Sequence, residues 1–466
     1  MRTTRIIGGL LTIAMAALTP RADASPIELK DQNGTSYWVN TDVTPLLRNS
    51  LASGALTNAT YQKPVTVTSY FVGLTTFGFF LTTFTVQRQV DVPLRPAFAG
   101  FNGLLITGIN GAALPTPLAY NPGQGLAAEN CEQNNKNRQL VFQPQTFENL
   151  NLVVSRQVFV PNNSEFVRWL NIVTNTADTP RQVGITLLGL LGSGSQTKVG
   201  TTSDGDNSIT TSDLWFTTGQ TVPQGSHSTE PTVGFVVQGA GALSPPIHEG
   251  VNSVGQAVVT YAPTIPAGGS AIILTLATVQ GNFKQAKNEA GNLASLPSPS
   301  LLCMSEQQLS QVINFAKITQ PKSKSATITL KFNKTGQDTI AWNGKIQIAA
   351  GINLEGLPVT VDVGGVTQSF VLNKQGKANN GGNNKFALNA TIKKGVTKAG
   401  NIKFSFNLKG SFQEALAVYG LTNATVKKVP VTVPVTFTAG PGIYDADQGF
   451  TYTATEGKKG TGKLSS

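Results

Sequence analysis

Histidine and cysteine are almost missing from this sequence, at two residues each in 466. His227 and His248 fall in Gly/Ser/Pro-rich loops near Glu230 and Glu249. A His/Glu pair can bind a metal or move a proton, but no HExxH-type ligand spacing surrounds either histidine. The plainer reading is a solvated loop. Gly192-Ser193-Gly194-Ser195 is not a Gly-x-Ser-x-Gly elbow, so no serine nucleophile is announced. No acidic residue has a recognisable catalytic context, although paired carboxylates for glycosidic chemistry are a matter of three-dimensional spacing. No assembled catalytic machinery is therefore expected. Arginine is absent from residues 317–466. Specific phosphate and base readout relies on its bidentate fork, and no aromatics interleave with the lysines as stacking platforms. A specific nucleic-acid partner is not expected.

Long apolar runs are also scarce. Arg2 and Arg5 precede the uncharged run Ile6 to Leu18, and Ala22-Asp23-Ala24 supplies a small-x-small cleavage pattern. Residues 1–24 read as a signal peptide, with Ser25 the mature N-terminus and a periplasmic, cell-surface or extracellular destination. The run is shorter than the ~20 apolar residues of a transmembrane helix, and Pro20 interrupts it. A second uncharged stretch, Pro64 to Gln87, is dominated by Thr, Val and Phe, the composition of neighbouring strands and not of a membrane helix.

What is abundant is Gly, Asn, Thr, Val and Ser, with only 13% charged residues, as in β proteins of many short strands and turns. The length predicts two domains. Strand signals follow one another from Thr35 to Thr278, and the pattern then turns helical at Phe283 to Leu296. Ser305-Glu306-Gln307-Gln308 is a capping box leading into Leu309, Val312 and Phe315. The expected fold class is all-β. A large two-sheet sandwich spans residues 26–316 and ends in two short helices. After a linker at 317–325 comes a smaller immunoglobulin-like sandwich at 326–457, then a flexible tail at 458–466. Charge divides the same way. Residues 317–466 hold 19 lysines against 7 acidic residues, whereas residues 25–316 hold 13 basic against 16 acidic.

Two constellations carry candidate chemistry. Asp204, Asp206, Asn207, Ser208 and Asp213 pack oxygen donors closely enough to suit Ca²⁺, with Asp204, Asp206 and Asp213 as the metal ligands. The sixth position of an EF-hand loop would be Gly and is Ile209, and an Asx-rich turn satisfying its own backbone is the alternative. Cys131 and Cys303 both lie in the first module and in an exported chain would form a disulfide; two separate thiols is the other reading.

VSRQVFVPNNSEFVRWLNIVTNT from Val154, LGSGSQTKVGTTSDGDNSITTSDLWF from Leu191, GTSYWVN from Gly34 and Asn314-Phe315 together resemble a β-sandwich module of bacterial exported proteins, across most of residues 30–316. That module implies no established activity. Its architecture is similar to the supersandwich of carbohydrate-active enzymes and mutarotase-like folds. Gly194 stands where the resemblance leads one to expect Asp, which weakens any polar site there. DTIAWNGKIQIAAGINLEGLPVTVDVGG from Asp338 and YGLTNATV from Tyr419 resemble a repeat-like β domain of exported bacterial proteins. The expected function is a structural or adhesive protein whose lysine-rich second module touches an anionic polysaccharide or envelope surface. The alternatives are a carbohydrate-binding or carbohydrate-active protein using the large sandwich's concave face, and a Ca²⁺-stabilised scaffold.

Overall fold

The computed structural model describes residues 26–465 apart from 33, 42–52, 75–80, 95, 123–125, 130–136, 221–229, 349–350, 382, 394 and 440–441. The expected signal peptide lies outside the described residues. The chain is built from antiparallel sheets, with four short α-helices among the described residues. No helix among them is long and apolar enough to cross a membrane. The stretch read as strands around residues 64–87 is one antiparallel hairpin, Gln62–Leu74 against Leu81–Pro93.

The first module stacks two large sheets. The larger runs, in order, through Thr197–Thr202, Trp215–Gln220, Thr232–Val236, Ser270–Gln280, Val167–Asn175, Leu152–Phe159, Gln139–Phe147 and Leu126–Glu129. The smaller runs through His248–Val251, Gln256–Tyr261, Arg181–Leu190, Gly103–Ile109 and Ala112–Ala119. Their inward faces share one core that includes Phe101, Leu104, Trp169, Ile185, Phe235 and Val259. Period-two alternation puts Leu152, Val154, Arg156 and Val158 inside. The uneven alternation of Val167–Asn175 has a cause: its other face is covered too. Leu170, Leu274 and Leu276 pack outward against Ala290, Leu293, Leu309 and Phe315 of the helical segment.

Three helices form that cover, one more than the sequence suggests. Phe283–Leu293 starts at Asn282, whose side chain accepts from the Gln285 N–H at 3.0 Å. Its first residue sits on a floor of missing side chains, since a Cβ at Gly200 would lie 2.1 Å from the Phe283 ring. Ser298–Leu301 is a single turn entered through Pro297. Glu306–Gln311 carries the capping box: Ser305 accepts from the Gln308 N–H at 3.2 Å and Gln308 accepts from the Ser305 N–H at 2.9 Å.

The second module is a continuous sheet curled round its own core. Its order is Val366–Val371, Pro358–Val363, Val426–Ala439, Gly442–Thr455, Lys459–Leu464, Lys322–Leu330, Asp338–Ile348, Gly400–Gly410, Lys385–Asn389 and Lys377–Asn379. The facing layers of the expected smaller sandwich are thus joined in one hydrogen-bonded ladder. The long pair Val426–Ala439 and Gly442–Thr455 joins them, contributing Phe437, Tyr444 and Phe450 to the core around Trp342, Phe386, Phe404 and Phe406.

Two expected boundaries are corrected. The linker 317–325 is ordered: Ile318–Thr319 pairs in parallel with Ile443–Tyr444, and the strand Lys322–Leu330 begins inside it. The tail 458–466 contains an interior strand, Lys459–Leu464, paired on both sides. Glycine is what admits it. A Cβ at Gly460 would lie 2.1 Å from the Tyr452 hydroxyl, so only the bare backbone passes beneath that ring. Lysine and glycine content made the segment look disordered, while its Gly-Thr-Gly alternation is that of a tightly packed strand.

The modules also touch. Ile318 and Ile443 join the cluster of Phe159, Leu170 and Phe315. The Asn163 amide donates to the Tyr419 hydroxyl at 2.8 Å, and the Ser298 hydroxyl donates to Asp362.

Candidate functional site: a lysine face without carboxylates

The strand Asp338–Ile348 alternates strictly, with Ile340, Trp342, Ile346 and Ile348 in the core and Ala341, Asn343, Lys345 and Gln347 outside. Gly400–Gly410 does the same beside it, burying Ile402, Phe404, Phe406 and Leu408. Pairing register then decides what the outer face shows. Lys345 stands opposite Lys322 on one side and Lys403 on the other, and Lys403 stands opposite Asn389. Three adjacent strands therefore present three exposed lysines in one cross-strand row.

The neighbouring rows carry Lys377, Lys385 and Lys463 among Ser325, Asn343, Ser405 and Asn407. The one acidic residue in these six strands, Asp338, is buried. It accepts from the Lys331 N–H at 2.7 Å and the Phe412 N–H at 2.8 Å. Among the described residues none of these lysines makes an ion pair. A cleft of about 490 Å³ opens at the side of the face, lined by Asn373, Lys377, Asn379, Lys385, Ser405 and Asn407.

Like charges directly opposite one another destabilise a sheet. Lysine at a sheet edge guards against aggregation, but Lys345 and Lys403 lie on interior strands with a partner on each side. Edge protection does not account for them. The exposed polar side chains of the face are cations, amides and hydroxyls, and Phe386 and Phe406, which also line the cleft, are buried; this is chemistry for an extended anion.

Three more of the module's carboxylates lie on other strands. Asp362, Thr436 and Asp445 share a cross-strand row, and Asp362 meets the first module through Ser298. Burial pushes Asp445 up to about 7, against the Thr436 hydroxyl and with help from Asp447 and Asp362. Burial likewise raises Asp362 and Asp447.

The residues singled out in the first module are placed as follows. Asp204 accepts from the Thr202 hydroxyl at 2.6 Å and the Asp206 N–H at 3.2 Å; Asp206 accepts from the Ser208 N–H at 2.8 Å. Asp213 is buried and accepts from the Ser203 hydroxyl and the Thr210 N–H and hydroxyl. These carboxylates are engaged by their own loop. Among the described residues no three His, Cys, Asp or Glu side chains are grouped to hold a metal ion. The structure does bring together two residues the sequence kept apart. Glu249 faces the Asp213 loop, and burial together with the Asp213 charge pushes its carboxyl up to about 9. Both its oxygens are sealed from solvent without a hydrogen-bond partner, so they reach no substrate. His227 and Cys131 lie outside the described residues. His248 is exposed on a short strand, and Cys303 is held in a disulfide.

Sequence reading missed the two buried arginines. Arg156 donates to the Asn171 side-chain Oδ1 at 2.7 and 2.8 Å, to Asn102 Oδ1 at 3.1 Å and to the Ser53 backbone carbonyl at 3.3 Å. Arg168 donates to the carbonyls of Ser300 and Leu302 at 2.8 and 2.6 Å and to Gln139 at 2.9 Å, with its guanidinium 4.7 Å from the Phe159 ring centre. For Arg156 the available signal was a charge at an inward position of an alternating strand, whereas Arg168 lies on the strand covered on both faces.

No family model matches the chain, and no curated protein does. Matches among solved structures include a polysaccharide lyase, at 7% identity and a TM-score of 0.28, covering 75% of this chain and 39% of the lyase. The Slr1438 protein of Synechocystis matches at 8% identity and a TM-score of 0.30, covering 57% of this chain and 99% of that one. A presumptive aldose 1-epimerase of Klebsiella pneumoniae matches at 12% and 0.19, covering 34% and 54%. The chain thus spans well under half of the lyase's length. At these scores the likeness identifies neither family nor activity.

Proposed function

We propose that this protein is a non-enzymatic, exported binding or adhesive protein whose second module holds an acidic polysaccharide or a similarly charged envelope surface. The observation that carries the reading is the row Lys322, Lys345 and Lys403, aligned across interior strands and without carboxylate neighbours. A sheet that only needed solubility would alternate charge signs across strands, because opposite pairs stabilise and like pairs do not. The first module serves as the rigid body on which this face is mounted. Export rests on the basic, apolar and Ala-x-Ala pattern of residues 1–24.

The test is retention of the mature chain on an immobilised acidic polysaccharide against neutral dextran, at low and rising salt. Wild type is expected to be retained only on the acidic matrix and to elute as screening increases. The K322Q/K345Q/K403Q variant is expected to pass through while keeping its melting temperature. Equal retention of wild type and triple variant would refute the reading.

A further inference from the structure

The spacing of the row narrows the ligand. Adjacent strands lie about 4.8 Å apart, so the row tethers one ammonium group per strand at that step, perpendicular to the strands. A pyranose unit in an extended 1→4 chain spans a comparable length. We infer that the face is matched to linear polyuronates, chains carrying a carboxylate on every sugar, lying across the strands from Lys322 through Lys345 and Lys403 to Asn389. This rests on the polyanion-binding reading above and adds the charge period to it.

The rest of the face suits the same ligand. One pleat along the strands, Ser325, Asn343 and Ser405 form a parallel row of hydroxyl and amide groups, with the Asn343 amide donating to Ser325 at 2.6 Å. Uronate chains bear hydroxyls between their carboxylates, which such a row can donate to and accept from. Other polyanions fit less well. Duplex DNA carries a charge for about every 1.7 Å of its axis, far denser than the row. A polymer with a carboxylate on alternate sugars brings half as many charges to the row per unit length.

The experiment is a binding titration of the full mature chain with three probes at equal total charge, polygalacturonate, hyaluronate and dextran sulfate, and with the uncharged methyl ester of polygalacturonate at equal mass. The expected result is that polygalacturonate binds at least several-fold more tightly than hyaluronate or dextran sulfate, and that the methyl ester does not bind. K345Q, at the centre of the row, should lose about tenfold in affinity for polygalacturonate, the scale of one charge-assisted hydrogen bond. K345R should retain affinity, and K409Q, off the row on the same face, should change it little. Unchanged circular dichroism and melting temperature show that K345Q remains folded. If all three charged polymers bind equally, and K409Q costs as much as K345Q, the period is wrong while the anion-binding face stands. If no charged polymer binds, both readings fall.

Discussion

The two modules handle positive charge in opposite ways. The first buries it: Arg156 and Arg168 are fully enclosed and donate only to neutral oxygens, and burial brings both guanidinium groups down to about 9. The second has no arginine and keeps its row lysines in solvent, unpaired. The side chains explain the division. A planar guanidinium presents five donors that several carbonyls can satisfy at once, whereas an ammonium is a compact, strongly hydrated charge that resists burial. In one module the cation ties segments together; in the other it is displayed.

The sharpest way to break this contrast is to remove an inner cation. Arg156→Ala would strand the side-chain oxygens of Asn171 and Asn102 and open a cavity, at a cost of about 3–5 kcal/mol. Denaturant unfolding followed separately for each module should show the loss in the first and little in the second. A drop confined to a few tenths would mean that the guanidinium is not structural.

Next in size is pH. Asp445 titrates near 7 when folded, against about 3.9 for an unfolded Asp. The folded module holds a proton that the unfolded chain has lost between those values. Its stability is therefore greatest below the unfolded value and falls as pH rises through about 7, by up to a few kcal/mol. Asp445→Asn keeps an acceptor for Thr436 and should flatten melting temperature against pH in the second module. An unchanged slope would place the titration elsewhere.

Gly460→Ala should cost about 1–3 kcal/mol by driving a methyl group into the Tyr452 hydroxyl. The smallest effect separates display from mortar. Lys345→Gln should leave thermal stability unchanged or raise it by a few tenths of a kcal/mol, since it relieves like-charge neighbours. A clear loss would mean that the lysine stem supports the sheet.

Much of the fold was legible because alternation is a local signal. Leu152–Phe159 and the Ser305 capping box read directly from residue spacing, whereas of the strand Asp338–Ile348 only the part from Lys345 onward did. What escaped was non-local. That Lys459–Leu464 enters the middle of a sheet depends on partners more than a hundred residues earlier at Lys322–Leu330. The lysine excess was visible, but its alignment was not: Lys322, Lys345 and Lys403 become neighbours only through register, which a slip of one residue would have scattered over both faces. The same holds for Asp213 and Glu249, which were read as members of separate loops and lie close enough for the Asp213 charge to act on the Glu249 carboxyl.

The insertion of Lys459–Leu464 between two earlier strands has a bearing on biogenesis. Until residue 464 has been synthesised, Lys322–Leu330 and Gly442–Thr455 each lack a neighbour, and the curled sheet has a gap in its wall. The second module is thus prevented from closing while its chain is still emerging.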